Sequence, residues 1–263
     1  MIRVEDLAVT FAKGSPLEKM ALAGVSLMME PGEFVTVIGS NGAGKSTLLN
    51  AIAGDFPPTR GRIVIGDVDV SRQPTAKRSS RVARVFQDPL AGSCGDLTIE
   101  ENLAIAAARG TRRGLSSALT VDRRALFRDR LAALGLGLEG RLRDRMAMLS
   151  GGQRQALALV MATLADSNVL LLDEHTAALD PGMAEFVLRL TAKTVTEHHL
   201  TTLMVTHSMR QALDLGTRTI MLHEGRIILD VGGDERKGLG VEDLVEMFRR
   251  QRGETLDEDE LLL

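Results

Sequence analysis

The sequence contains no tryptophan and no tyrosine, so seven phenylalanines supply every aromatic ring. Any stacking of a ligand on an aromatic face must therefore use a Phe. Cysteine occurs once, as Cys94, which excludes an intramolecular disulfide and suits a reducing compartment. A long apolar segment is also missing. The longest nearly apolar run, Ala156 to Ala165, is far shorter than the roughly 20 residues that span a bilayer. Met1 leads directly into the charged stretch Arg3-Val4-Glu5-Asp6, so no secretory leader is expected. Charge is nearly balanced, 35 acidic against 32 basic residues for a net −3, and gives no general electrostatic reason to bind nucleic acid. Basic residues do cluster at Arg109, Arg112 and Arg113 and again from Arg123 to Arg130. Such a run reads as a solvated helical face, with contact to acidic lipid or a partner as the sharper alternative.

What is present is a chain of 263 residues with 44% hydrophobic and 25% charged residues, ordinary for a globular protein with a substantial core. Val25, Leu27 and Met29 alternate as in a half-buried strand, and Pro31-Gly32 marks the turn after them. Phe34 to Ile38 reads as a buried strand that runs into a Gly-rich loop, followed by a helix from Leu48 to Ala53. Arg62 to Val70, centred on Gly66-Asp67, has the pattern of a surface hairpin. Thr98-Ile99-Glu100-Glu101 has the spacing of a capping box, and from there to about Leu164 the pattern is mainly helical, broken by Gly110, Gly114 and the stretch from Gly135 to Gly140. Strand patterns resume at Val169–Leu172, Thr201–Val205, Thr219–Leu222 and Arg226–Leu229. Strands and helices thus alternate on both sides of a helical insert, which implies an α/β core with a helical lobe. After Gly240, the residues Val241, Leu244, Val245 and Phe248 share one helical face, and Glu254 to Leu263 form an acidic tail ending in three leucines.

Gly39-Ser40-Asn41-Gly42-Ala43-Gly44-Lys45-Ser46-Thr47 fits the G-x-x-x-x-G-K-[ST] phosphate loop, with a strand before it and a helix after it. Glycines allow backbone N–H groups to turn inward around phosphate oxygens, and the helix start adds its positive end. Lys45 is placed to reach the β- and γ-phosphates and Ser46 to complete a Mg²⁺ shell. Gly135-Leu136-Gly137-Leu138-Glu139-Gly140 matches the dinucleotide fingerprint in letters only. It follows a helical stretch rather than a strand, so it reads as a helix end and turn. Val169 to Glu174 is an apolar strand ending in two carboxylates, whose side chains diverge on a strand and so need separate tasks. Asp173 fits a residue holding Mg²⁺, directly or through water. Glu174 fits a group that orients or deprotonates the attacking water.

Leu149-Ser150-Gly151-Gly152-Gln153, lying between the phosphate loop and Asp173-Glu174, resembles the signature sequence of ABC ATPases. By itself Ser150-Gly151-Gly152 would be an N-cap with flexible glycines; the order of the motifs gives it more. The resemblance covers nearly all of residues 1–235. It implies that Ser150, Gly151, Gly152 and Gln153 contact the γ-phosphate of ATP held by the opposite subunit. It further implies that Gln87 senses Mg²⁺ and the attacking water, that the Ala178-Leu179-Asp180 loop contacts the other subunit, and that His207 touches the γ-phosphate and steadies Glu174. The family commonly stacks adenine on a tyrosine near the N-terminus. Phe11 is the ring available here, with packing inside a strand as its other reading. Two departures stand out: His175 follows Glu174 where proline is more usual, and the Arg-rich segment around Gly110 to Arg124 is longer than in many relatives. His198-His199 reads as an exposed pair before a strand.

The fold implied is α/β, a P-loop NTPase core of the ABC ATPase type with an N-terminal antiparallel β subdomain and an inserted helical subdomain. The nucleotide-binding domain is expected over 1–235, with the helical subdomain at about 88–160 and a C-terminal helix and tail over 236–263. The cofactors implied are ATP and Mg²⁺. The partners implied are a second ATPase subunit in a homodimer, integral membrane permease subunits and, indirectly, a solute-binding protein, with no nucleic acid. Phe86 to Gly92 and Asp173 to Asp180 resemble a subgroup linked to solute-binding-protein-dependent uptake, which implies a place at the cytoplasmic face of the membrane through permease subunits; the cargo expected is a small organic solute such as an amino acid. The competing reading is an ABC-type ATPase of a soluble enzyme or nucleic-acid-processing complex. Zinc-binding Cys clusters, heptad insertions or a duplicated cassette, which often accompany that class, do not occur in this sequence.

Overall fold

The computed structural model describes every residue except 112, 113, 115, 116 and 253–263, so Arg112, Arg113 and the acidic tail lie outside the described residues. The described chain runs β1 (Ile2–Phe11), β2 (Lys19–Met29), β3 (Phe34–Ile38), α1 (Lys45–Ala53), β4 (Arg60–Ile65), β5 (Val68–Asp69), α2 (Thr75–Arg78), β6 (Val82–Val85), α3 (Ile99–Ala107), α4 (Val121–Ala132), α5 (Gly151–Thr163), β7 (Val169–Asp173), α6 (Pro181–His198), β8 (Thr201–Val205), α7 (Met209–Asp214), β9 (Arg218–His223), β10 (Arg226–Gly232), α8 (Gly233–Arg236) and α9 (Val241–Arg252). It divides into two compact units, one made of Met1–Arg78 with the segment from Val195 onward, the other of Ser79–Thr194.

The first unit holds an antiparallel sheet in the order β2-β1-β4-β5, and β3 lies between β8 and β9, parallel to both, with β10 antiparallel to β9. All five residues of β3 and of β8 are buried. Such strands read as unbroken apolar runs because neither face meets water. Val25, Leu27 and Met29 of β2 are buried and alternate with exposed neighbours, as their period-two pattern predicts. The Gly66-Asp67 turn joins β4 to β5, but Ile63, Val64, Ile65 and Val70 are buried, so this hairpin is not wholly superficial. The guanidinium of Arg78, itself buried, donates to the carbonyl of Ile52 in the last turn of α1 at 2.9 Å and to that of Ser71, in the loop after β5, at 3.0 Å. Leu244 and Phe248 of α9 close a second apolar cluster with Ile38, Ala212, Met221 and Val231.

In the second unit β6 runs parallel to β7. Its core gathers Ile99, Leu103, Phe127, Leu131, Leu138, Met146 and Leu157 from α3, α4, α5 and the 3₁₀ turns Leu138–Gly140 and Met146–Met148. Thr98 caps α3 as its spacing predicts. Its hydroxyl accepts from the Glu101 N–H while the Glu101 carboxylate accepts from the Thr98 N–H at 2.7 Å. Gly135 and Gly137 both take positive φ, consistent with a helix end and turn rather than a nucleotide loop. The Arg cluster is more mixed than a solvated face. Arg128 and Arg130 are exposed, but Arg124 pairs with Glu100 at 2.8 Å, and Arg109 donates to the carbonyls of Ala162 at 2.7 Å and Ala165 at 3.2 Å.

Candidate nucleotide site

In the first unit the chain leaves β3 at Gly39 and enters α1 at Lys45, so the Gly-rich loop sits at the carboxyl end of a buried parallel strand. Two of its glycines are required by close backbone approach. A Cβ at Gly39, whose φ is 144°, would fall 2.1 Å from the Leu222 carbonyl oxygen, and one at Gly44, φ 103°, would fall 2.6 Å from that of Ala21. Gly42 also has positive φ but faces open space. The loop between them carries Ser40, Asn41 and Ala43 and is tied down by the Ala43 N–H donating to Ser40 and the Gly225 N–H donating to Ala43. Lys45 is buried, and its ammonium donates to the carbonyls of Gly39 at 2.6 Å and Ser40 at 3.1 Å. Gly44 contributes no side-chain cap and the first turn of α1 holds no acid, so nothing in that turn offsets the positive end of the helix dipole. Ser46 is exposed and Thr47 half-buried beside it. Anion binding is what such a helix start offers.

His207 reaches the same edge. β3 and β8 are parallel with Val37 opposite Val205, and the Thr206 N–H donates to the Val37 carbonyl at 3.1 Å. The residues after both strands therefore emerge together at their carboxyl ends, the usual ligand edge of parallel sheets. His207 is exposed there, and Ser208 caps α7 directly after it. Phe11 ends β1, half-buried, with its ring edge-on to Phe56 at 5.0 Å between centroids. Its packing reading and its stacking reading thus share one ring.

The second unit repeats this logic with other chemistry. Val85 of β6 lies opposite Leu172 of β7, so Gln87 and the pair Asp173-Glu174 emerge at the carboxyl ends of neighbouring parallel strands. Gln87 is exposed. The carbonyl of Phe86 before it accepts from the buried Gln155 side chain of α5 at 3.1 Å, which ties that helix to the segment at Gln87. Asp173 accepts at Oδ2 from an Arg84 guanidinium nitrogen at 2.7 Å. Glu174 leaves the strand at φ 44°, a left-handed conformation uncommon for a residue with a side chain. That turn swings it out of the strand's alternation. His175 beside it is buried, and its Nε2 lies 2.9 Å from the Thr191 hydroxyl of α6. Since that hydroxyl donates its one proton to the Val187 carbonyl, it accepts from His175, which fixes the Nε2–H tautomer.

Ser150 is the N-cap of α5. Its hydroxyl accepts from the Gln153 N–H and the Gln153 side chain accepts from the Ser150 N–H, each at 3.2 Å. Gly151 and Gly152 form the first turn. A methyl on Gly152 would stand 2.0 Å from Cγ of Met183, so this glycine has a packing reason of its own. Asp180 likewise accepts from the Met183 N–H at 3.1 Å at the start of α6. Sequence reasoning missed Arg84, Arg78 and the His175–Thr191 contact. A lone Arg among buried strand residues was the one local sign available for Arg84.

The geometry is matched by comparison with known proteins. The family described as ABC transporter matches residues 22–177. This chain belongs to the ABC transporter family, as an ATPase subunit. A tyrosine transport ATP-binding protein of Clostridioides difficile is 42% identical to this ABC ATPase over 248 residues, 94% of this chain and 98% of its own. A thiamine import ATP-binding protein of Yersinia pseudotuberculosis is 38% identical over 78% of this chain and 81% of its own. Among solved structures, a dimeric ATP-binding cassette in a post-hydrolysis state with ADP and Pi superposes with a TM-score of 0.76 at 29% identity, covering 88% of this chain and 98% of that one. The α/β cassette fold is therefore shared along nearly the whole length of this ABC ATPase, and no helix among its described residues is long and apolar enough to cross a membrane.

Proposed function

We propose that this subunit hydrolyses ATP in a dimer of cassettes and so powers uptake of a small organic solute, with an amino acid as the favoured class, through membrane permease subunits. The observation that carries the reading is the Gly-rich loop at the carboxyl end of β3, with a buried lysine and an uncapped, acid-free helix start. In this reading the backbone of Gly39, Ser40, Asn41, Gly42, Ala43 and Gly44 cradles the phosphates, with Thr47 completing the loop, and Lys45 meets the β- and γ-oxygens. Phe11 stacks on adenine. Ser46, Gln87 and Asp173, the Mg²⁺ residues of the family resemblance, each carry the hard oxygen donor that this ion takes. Mg²⁺, when bound, neutralises charge on the β- and γ-phosphates. Glu174 orients the attacking water and takes its proton, and His207 meets the γ-phosphate, as the family resemblance implies. Ser150, Gly151, Gly152 and Gln153 meet the γ-phosphate of the nucleotide on the other subunit, with Asp180 in the adjoining loop.

The solute class rests on relatives named for tyrosine transport and thiamine import, and uptake as the direction on the subgroup resemblance of residues 86–92 and 173–180. A solute-binding protein would act indirectly, through the permease, with this chain at the cytoplasmic face of the membrane. Glu174→Gln should lower ATP turnover by roughly 10²–10⁴-fold while ATP still binds. The decisive measurement is to purify that variant with ATP from its native membranes and identify what accompanies it. A polytopic membrane protein is expected. Soluble enzymes or nucleic acid alone, in repeated trials, would end the transport reading and leave only the ATPase.

A further inference from the structure

We propose that Arg84 is a positioning residue that holds one oxygen of Asp173 and sets the metal requirement of the site by standing there as a competing cation. The inference rests on the reading of Asp173 as a Mg²⁺-facing carboxylate.

Arg84 lies in β6 between the buried Ala83 and Val85, opposite Leu171 of β7. Nothing about pairing these two strands asks for a charge, because their ladder is backbone. A methionine or leucine would fill such a half-buried position without the cost of desolvating a guanidinium. Arg84 is instead held from two sides. One terminal nitrogen donates to Asp173 Oδ2 at 2.7 Å, and the guanidinium carbon stands 4.4 Å from the centroid of the Phe86 ring. The ring face attracts the cation and limits its rotation. The side chains are 11% and 13% exposed, so water and salt screen the pair far less than a surface pair.

The consequence is an asymmetric carboxylate. Oδ2 is engaged by Arg84, and Oδ1 is the oxygen left to face an ion or its water. A fixed positive charge one hydrogen bond from a metal-binding carboxylate offsets part of the negative charge that draws Mg²⁺ in. Arg84 thereby keeps Asp173 oriented and neutralised before nucleotide arrives, and it raises the Mg²⁺ concentration at which the metal strengthens ATP binding. Even with water-like screening of the added ion, a unit charge at that range opposes it by at least about tenfold.

The test is a Mg²⁺ series of ATP affinities by calorimetry in a Glu174→Gln background, with a metal-free series in EDTA and Mn²⁺ paramagnetic resonance as a second readout. Arg84→Met should lower the Mg²⁺ concentration for half-maximal enhancement of ATP affinity by at least about tenfold. Arg84→Gln, which keeps a donor but no charge, should shift it in the same direction and preserves the test if the methionine variant does not fold. Arg84→Lys, which keeps the charge, should stay near the unsubstituted protein. A folded Arg84→Met or Arg84→Gln protein with an unchanged or higher Mg²⁺ requirement overturns the proposal. Asp173→Asn separates the two layers. If that variant keeps the original Mg²⁺ requirement, the reading of Asp173 itself is wrong. If it loses the metal effect while the neutral Arg84 variants change nothing, only the role of Arg84 is wrong.

Discussion

His175 shows how much one buried side chain can decide. Its neighbour Glu174 is the proposed water-orienting carboxylate, and the peptide between them is anchored by the imidazole donating to Thr191 of α6. Burial without a charged partner pushes the His175 pKa down from its ordinary 6.5 to about 4, because the protonated ring would lose its hydration. The unfolded chain therefore binds a proton that the folded chain refuses between those two values. Stability contributed by His175 is fully present above pH 6.5 and is lost as pH falls from about 6.5 towards about 4. The full loss is on the order of 3 kcal/mol. Urea unfolding at pH 7.5 and pH 5.0 should show a steeper decline for the unsubstituted protein than for His175→Gln, which cannot titrate. Equal declines would mean that the ring is not buried neutral. None of this could be read from the sequence, where His175 was only an unexplained replacement for proline. The residues that were legible, Gly39, Gly44 and Lys45 above all, declare their chemistry within nine consecutive letters. Arg84 and Asp173 are 89 positions apart, and no local pattern joins them.

Elements were legible where a single period or cap dominates. The apolar runs of β3 and β7, the alternation of β2 and the Thr98 capping box all fold as their residue patterns dictate. α5 is the instructive case. Its S-x-x-Q start is a capping box, and the signature motif overlies it, so one serine serves the helix and remains exposed for a phosphate. Beyond its far end the arginine pattern misleads, because Arg109 is half-buried and not part of a solvated face. Arg109 instead donates to the carbonyl of Ala162 in the last turn of α5, which the helix cannot satisfy internally, and to that of Ala165 just past its end, and desolvation lowers its pKa. Replacing Arg109 by Met should cost about 2 kcal/mol, the scale of a charge-assisted hydrogen bond left unmade. The exposed Arg128 should tolerate Ala within about 0.5 kcal/mol. Thermal unfolding of the two variants side by side checks this, and equal effects would return Arg109 to the solvated face.

At the scale of the molecule, the proposed chemistry is incomplete in one chain. Ser150 and Gly152 stand at the start of α5, and in the family resemblance they serve the nucleotide of the other subunit, so the γ-phosphate is the link between two copies. A link of that kind should make association depend on ATP and on slow hydrolysis, since cleavage releases the contact. Glu174→Gln with ATP should therefore elute at about twice the chain mass of 28.4 kDa in light-scattering chromatography, and return to that mass with ADP. The likeness to a dimeric cassette with ADP and Pi supports a partner of the same fold but does not name it. A Glu174→Gln chain that binds ATP yet stays at the single-chain mass would replace the homodimer with a pairing to a close homologue. The Arg84 proposal is unaffected by that outcome, because Arg84, Phe86 and Asp173 lie in one unit of one chain.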